Sequence, residues 1–401
     1  MNSSEINLLL GADALIGPPT GIGNYTRHLA SELMLQNLVE DLRLSIHGRI
    51  QDFGAFMSDV AAEAPNIKGE STKPLRRFLP SDGRSADFVK KLAANRLAVW
   101  VYLKVLASQR RRASRPFSHT HIFHSPNYLL PDFDGPKVVT IHDLSTMLYP
   151  EFHPPVRVKL VNEMIARTIA SDAHVIVDSP VVAAELARDT GISLERISVV
   201  ALGVPSTFGG EFDMSVLDEL GLTAGSYFLS VATVEPRKNI SGICKAYALA
   251  KQRDPNLAPI VFVGGTGWRS SREHEDIEHL VQKGWAKYLR YVPDGHLCSL
   301  YRGAIALVFA SFYEGFGLPV IEAHACGTRV ITSKGTSMEP LAKPDDILVN
   351  PQNIPAIADA FLIASDAPAR PEVKTGSDAV MVRSWGDVAR DTRAVYASIQ
   401  N

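Results

Sequence analysis

With only three cysteines in 401 residues, the chain has no disulfide framework to organise it. Cys244, Cys298 and Cys326 form no C-x-x-C pair and no metal-ligand set, and so sparse and odd a count suits a reducing compartment. Long apolar runs are missing too: none approaches the ~20 residues that a membrane span requires. The opening MNSSEINLLLGADAL has no basic region ahead of its apolar run, so a signal peptide is not expected and a cytoplasmic location is. Charge of one sign is also lacking. A formal net charge of -2 leaves no electrostatic case for a nucleic-acid partner. There is no G-x-S-x-G elbow, which disfavours a hydrolase triad, and no low-complexity tract or short repeat.

What is present is a series of short apolar, β-branched runs with helix-length segments between them. In the first half they cover residues 6–10, 42–46, 121–124, 138–142, 175–178 and 197–201. In the second they cover 227–232, 260–263, 288–292, 305–310, 330–332 and 347–349. Continuous rather than alternating apolar runs predict parallel strands covered on both faces. Twelve strands exceed one open sheet but suit two doubly wound halves, an α/β fold. The joint falls in Gly203-Val204-Pro205-Ser206-Thr207-Phe208-Gly209-Gly210, where glycine and proline interrupt both periods. The expected domains are therefore 1–203 and 204–383. A terminal amphipathic helix, 384–401, could pack on either half, the N-terminal domain among them.

One segment departs from the average. Residues 88–115 combine Trp100, Tyr102 and several leucines with Lys90, Lys91, Arg96, Lys104, Arg110, Arg111, Arg112 and Arg115. Two readings stand side by side: a peripheral contact with an anionic membrane, or an ordinary amphipathic helix with a solvated basic end.

Four motifs carry chemistry. Gly17-Pro18-Pro19-Thr20-Gly21-Ile22-Gly23-Asn24-Tyr25 follows the first strand, and Gly21 and Gly23 let backbone approach a phosphate or sugar; as a bare turn it would mean nothing more. His142-Asp143 ends a strand, where open α/β sheets face their ligands; a satisfied structural histidine is the plainer alternative. Glu235-Pro236-Arg237-Lys238-Asn239 puts two cations at a strand end, a fork and a point charge suited to a diphosphate, unless it is only a solvated helix start. Ser311-Phe312-Tyr313-Glu314-Gly315-Phe316-Gly317-Leu318-Pro319 leads from a strand into a helix that carries Glu322. The helix start offers free N–H groups to an anion. Glu314 beside them suits sugar hydroxyls, and Glu322, about one turn after Pro319, suits the two hydroxyls of a ribose. Asp132-Phe133-Asp134 matches a D-x-D metal pattern, but between Pro131 and Gly135 it reads as a surface turn.

With these motifs in order, the sequence resembles the family-4 glycosyltransferases of the GT-B fold. The resemblance rests on E-G-F-G-L-P-x-x-E at Glu314 and Glu322, continuing through Ala323, Cys326 and Gly327, and on E-P-R-K-N at 235–239. Tyr291-Val292-Pro293-Asp294, Tyr301-Arg302-Gly303-Ala304, Gly21-Ile22-Gly23 and Ile141-His142-Asp143 add to it. It spans nearly the whole chain and is weaker over 48–116. One departure is Met338-Glu339-Pro340, where the family often has proline before glutamate.

The resemblance implies two Rossmann-like domains facing a central cleft, the N-terminal one on the acceptor side and the C-terminal one holding a nucleotide-diphosphate sugar. It implies Arg237 and Lys238 on the diphosphate without a metal, and Glu314 with Gly315, Phe316, Gly317 and Leu318 on the transferred sugar. It further implies Glu322 on the ribose, Val292 in the donor site, His142 near the sugar, and Gly21 to Gly23 bordering diphosphate or acceptor. Catalysis would fall to His142, Arg237, Lys238 and Glu314, with the sugar's anomeric configuration retained. The G-I-G-N-Y loop, F-H-S-P-N at 123–127 and V-V-T-I-H-D-L-S at 138–145 are similar to bacterial mannosyl- and rhamnosyltransferases of surface polysaccharide assembly. These imply a GDP-linked hexose donor and a glycan or polyprenyl-linked acceptor. The alternatives are a sugar-nucleotide epimerase of the same architecture and a non-catalytic sugar-nucleotide-binding protein.

Overall fold

The apolar runs assemble into two sheets in the computed structural model, which describes residues 5–16, 20–63, 108–109, 111–209, 213–368 and 383–400. The first sheet contains β1 (Asn7–Gly11), β2 (Asp41–Ile46), β3 (Arg49–Asp52), β4 (Ile122–Ser125), β5 (Lys137–Ile141), β6 (His174–Val177) and β7 (Ile197–Val199). Their spatial order is β3-β2-β1-β4-β5-β6-β7. The second contains β8 (Phe228–Val231), β9 (Ile260–Val263), β10 (Ala286–Leu289), β11 (Ala306–Phe309), β12 (Arg329–Ser333) and β13 (Ile347–Val349), ordered β10-β9-β8-β11-β12-β13. Every pairing is parallel except β2 with β3. Each expected run overlaps a strand, and the fold is the expected pair of doubly wound α/β halves.

Strand β3 was not expected. Its Arg-Ile-Gln-Asp holds a single apolar residue, because an edge strand has one neighbour and little to bury. It forms by folding back from β2 through His47 and Gly48, both left-handed with φ of 48° and 79°.

The strands bury both faces. On β1, Leu8 and Leu10 point into a core shared with helix Gly21–Leu35, while Leu9 meets Phe123 and Phe133 on the other side. Helix Gly21–Leu35 is capped by Thr20, whose side chain accepts a 3.1 Å bond from Gly23 N. A Cβ on Gly23 would lie 2.7 Å from the Ala14 carbonyl, so a glycine there lets the helix start pack on the turn after β1.

Helix Trp385–Ile399 begins with a capping box between Ser384 and Asp387 and places Trp385, Val388 and Tyr396 in the core of the first half. Tyr396 OH is 2.6 Å from His124 Nδ1, and His124 Nε2 is 2.8 Å from Thr140 Oγ1. The chain thus crosses between the halves twice, and the two crossings are bonded to each other, Val204 N donating to Arg383 O at 2.9 Å.

Candidate functional site

In each sheet the strand order reverses once, between β1 and β4 in the first and between β8 and β11 in the second. Such a switch point opens a crevice at the carboxyl ends of the strands. Leaving β8, the chain turns through the short helix Pro236–Lys238; leaving β11, it runs through 311–317 into helix Leu318–Ala325. Pairing of β8 with β11 therefore brings Arg237, Lys238 and Glu314 together across some 77 residues of sequence. Asn239, in the left-handed region with φ 57°, holds the first turn in place by donating to the Ala310 carbonyl at 3.0 Å and the Pro351 carbonyl at 2.8 Å.

The three residues form one ion cluster rather than separate grips. Arg237 Nη1 donates to Glu314 Oε2 at 2.8 Å and to the Tyr313 carbonyl at 2.8 Å. Its Nε and Nη2 donate to Glu235 Oε1 at 3.2 and 2.9 Å. Lys238 Nζ donates to Glu314 Oε1 at 2.6 Å and lies 5.2 Å from the Phe309 ring centre. Burial pushes the Glu314 carboxyl up, but Arg237 and Lys238 outweigh it and hold the group below the usual carboxylate range. For Lys238 burial wins with the help of Arg237, and its ammonium is pushed below the ordinary value. Arg237 stays charged: Glu314, Asp143 and Glu235 more than offset its burial.

Glu322 lies on the helix that follows. Tyr301 OH donates to its Oε2 at 2.8 Å, and Thr328 Oγ1 anchors the same tyrosine by its carbonyl at 2.6 Å. The fully buried Tyr301 thus fixes the second glutamate of the E-x7-E pair, a role that spacing alone did not disclose. Phe316 and Leu318 reach into the core of the first half. Val292 packs at the edge of a second-half core.

His142 follows β5 in the first half. Its Nδ1 is 2.8 Å from Asp178 Oδ2 and its Nε2 is 3.0 Å from the Pro126 carbonyl. Both contacts favour a hydrogen on each ring nitrogen, the protonated form of the ring. Burial lowers its pKa, but the Asp178 charge and hydrogen bond, the Pro126 carbonyl and Asp143 together raise it above the ordinary value. His142 therefore presents no free ring nitrogen. Tyr25 of the Gly21–Gly23 helix start packs edge-on against it, ring centres 4.7 Å apart. Neighbouring His124 is kept neutral, its pKa lowered to about 3 by burial and by the His142 charge. Asp143 faces Arg237: burial raises its pKa, and Arg237 with the Ser145 hydrogen bonds brings it below the usual range.

The halves meet around this site. Tyr313 OH accepts from Leu144 N at 3.2 Å and donates to Glu185 Oε2 at 2.7 Å. Ser179, which caps helix Pro180–Thr190, donates to the Gly315 carbonyl at 2.7 Å. A second seam lies beside it. Trp268 Nε1 donates to the Phe152 carbonyl at 2.9 Å, Arg269 Nη1 to the Glu151 and His153 carbonyls at 2.7 and 3.2 Å, and the Arg157 guanidinium stacks 4.7 Å over Trp268. Tyr313, Ser179, Glu185 and Trp268 carry no motif spacing of their own. The one signal for Tyr313 is its place beside Glu314.

Asp132 and Asp134 are exposed and face Arg111 at 3.9 and 3.6 Å, an ordinary surface turn. Among the described residues there is no cluster of three or more histidine, cysteine or acidic side chains able to hold a metal. Glu339 bonds the Gly335 N–H within its own turn at 2.6 Å. Gly17 to Pro19 and most of the basic 88–115 stretch lie outside the described residues, and so does the membrane contact considered for it. No helix among the described residues is long and apolar enough to cross a membrane.

Residues 221–373 match the family described as glycosyl transferases group 1. Over 98% of its length the chain is 28% identical to 99% of O-antigen chain mannosyltransferase B from Escherichia coli. Sucrose-phosphate synthase from Thermosynechococcus elongatus superposes with a TM-score of 0.68, covering 99% of both chains at 19% identity. A second structure, Anabaena HepE in complex with UDP-glucose, superposes with a TM-score of 0.67, covering 98% of this chain and all of that one at 15% identity. Identity so low bears on the fold alone, and the fold is the two-domain GT-B arrangement.

Proposed function

We propose that this chain, whose residues 221–373 match the glycosyl transferases group 1 family, is a glycosyltransferase that transfers mannose, with retention, from GDP-mannose to a glycan or polyprenyl-linked acceptor in surface polysaccharide synthesis. The choice of mannose follows the Escherichia coli O-antigen relative, which matches end to end. The observation that carries the reaction class is the Arg237–Lys238–Glu314 cluster at the β8/β11 switch point, faced across the seam by Asp143.

In this reading the donor diphosphate lies against Arg237, Lys238 and the first N–H groups of helix Leu318–Ala325, which lack intrahelical acceptors. Glu314 is divided between the cations and the sugar hydroxyls, and Glu322, fixed by Tyr301, takes the ribose. As the bond from the anomeric carbon to phosphate breaks, negative charge grows on the diphosphate oxygens. In this reading Arg237, Lys238 and the His142 side chain stabilise that charge electrostatically, the two cations sharing their bonds with Glu314. The acceptor hydroxyl attacks from the same face, its proton passing to the departing phosphate oxygen while the new glycosidic bond forms. Contact between the halves excludes water from the step.

Thermal denaturation in the presence of GDP-, UDP- and dTDP-sugars, each with and without magnesium, tests the donor assignment. GDP-mannose should raise Tm most, and equally in both conditions, because Arg237 and Lys238 supply the countercharge. Stabilisation by a UDP- or dTDP-sugar alone, or only with magnesium, would overturn the choice of donor or the metal-free step respectively.

A further inference from the structure

A loop of the second half connects the surroundings of Arg237 to the first half. Leaving β9, residues 264–267 lie against the backbone that leads to Glu235. Val234 N donates to the Gly265 carbonyl and Gly267 N to the Val234 carbonyl, both at 2.9 Å. A Cβ on Gly264 would run into the Ala232 carbonyl, and one on Gly267 would lie 2.7 Å from the Val234 carbonyl oxygen and 3.1 Å from Glu235 Cβ. The fit is therefore backbone on backbone. Glu235 in turn accepts from Arg237 Nε and Nη2. Close packing of this kind passes a shift of the loop on to the guanidinium instead of absorbing it.

At its far end the same loop reaches the first half through Trp268 and Arg269. Their side chains donate to three successive carbonyls, Trp268 Nε1 to Phe152 and Arg269 Nη1 to Glu151 and His153. Trp268 also packs against the Arg157 guanidinium and against the buried His153 ring, whose centre is 5.5 Å from its own. Arg269 holds φ at 52°, a left-handed value that is unfavourable for a non-glycine residue and persists where surrounding contacts impose it. Among the described residues, the hydrogen bonds that its side chain makes both cross the seam. We infer that Trp268 and Arg269 are positioning residues for transfer, a latch that engages residues 151–153 and, through residues 234–235, sets Arg237 against Asp143 of the first half. The inference rests on the transferase reading above. Both residues act through Glu235 and Arg237 rather than on the donor itself. With the latch released the donor still binds, since Arg237, Lys238, Glu314 and Glu322 all belong to the second half, but its anomeric carbon is open to water.

The test uses the full chain with Trp268→Phe, which keeps an aromatic ring and removes the N–H, with Arg269→Ala, and with Arg269→Lys as the conservative rescue. Transfer from GDP-mannose to an α-mannoside is measured together with the free mannose released by hydrolysis. The radius of gyration of each unliganded variant is read by small-angle X-ray scattering. Loss of a hydrogen bond across the seam should lower kcat about threefold to tenfold in Trp268→Phe and in Arg269→Ala, with a matching rise in the hydrolysed share of donor. KM for the donor should stay near the wild-type value, because the donor's ligands lie on the second half. Arg269→Lys should recover part of the loss, and the radius of gyration should rise in the Phe and Ala variants. Wild-type kcat and hydrolysed share at a lowered Tm would overturn the inference, since the seam would then only hold the halves together. So would a rise in KM at constant kcat, which places the effect on donor binding. Should Trp268→Phe fail to fold, exposed Arg269 still decides. If no donor supports transfer, the proposed reaction fails, and the scattering alone decides the latch: an unchanged radius in both variants overturns it.

Discussion

Replacing Arg237 by alanine is expected to reduce kcat by about 100- to 1000-fold, the size of effect seen when one preorganised donor to a developing oxyanion is lost. Stability should fall as well. Arg237 is buried between Glu235 and Glu314, and removing the cation from a buried pair costs about 3–5 kcal/mol because carboxylates are left uncompensated. The two effects can be separated. Adding Glu235→Gln to Arg237→Met removes one stranded charge and should recover much of the lost Tm, while turnover stays low. If turnover returned along with stability, Arg237 would be a structural ion-pair partner and the diphosphate assignment would be wrong.

A single methyl group on Gly315 should be nearly as damaging, for a steric reason. Its Cβ would lie 1.7 Å from the His142 carbonyl and 3.0 Å from Asp143 Cβ, and the first of these is backbone at a strand end that has nowhere to go. Gly315→Ala must therefore push the halves apart and strain the Ser179–Gly315 bond and the Tyr313 contacts with Leu144 and Glu185. A misplacement of about 1 Å at a reacting centre can cost roughly 100-fold in rate, and kcat/KM should fall by about that much. Donor-induced stabilisation should survive, because Arg237, Lys238, Glu314 and Glu322 all belong to the second half. Water admitted to the opened seam should raise the share of donor that is hydrolysed rather than transferred. Wild-type turnover with an unchanged hydrolysis share would mean that this contact is not made during catalysis.

The sequence disclosed the elements better than their meeting places. The runs at 305–310 and 260–263 are apolar throughout because β11 and β9 are covered on both faces, and that signal is local. Strand β3 has no such signal, since its pairing depends on the turn at His47 and Gly48. The same distinction holds at the site. Glu314, Glu322, Arg237 and Lys238 stand in motifs whose residue types declare a chemistry. Their union in one ion cluster depends on which strands are neighbours, and no spacing records that. Tyr313 finds its partners 128 and 169 residues away, and Ser179 meets Gly315 across 136. For His142 the residue type was informative but its partners were not. Only with Asp178 and Pro126 in place are its two ring nitrogens held and its pKa raised.

The most direct test of the account is transfer itself: the purified chain, GDP-α-mannose and an α-mannoside acceptor, with the product's anomeric configuration read by NMR. The account predicts a new α-mannosidic linkage, formed without added metal and lost with Arg237→Met. A β-linked product would contradict retention, and acceptor-independent conversion of the donor to another sugar nucleotide would contradict the transferase reading altogether.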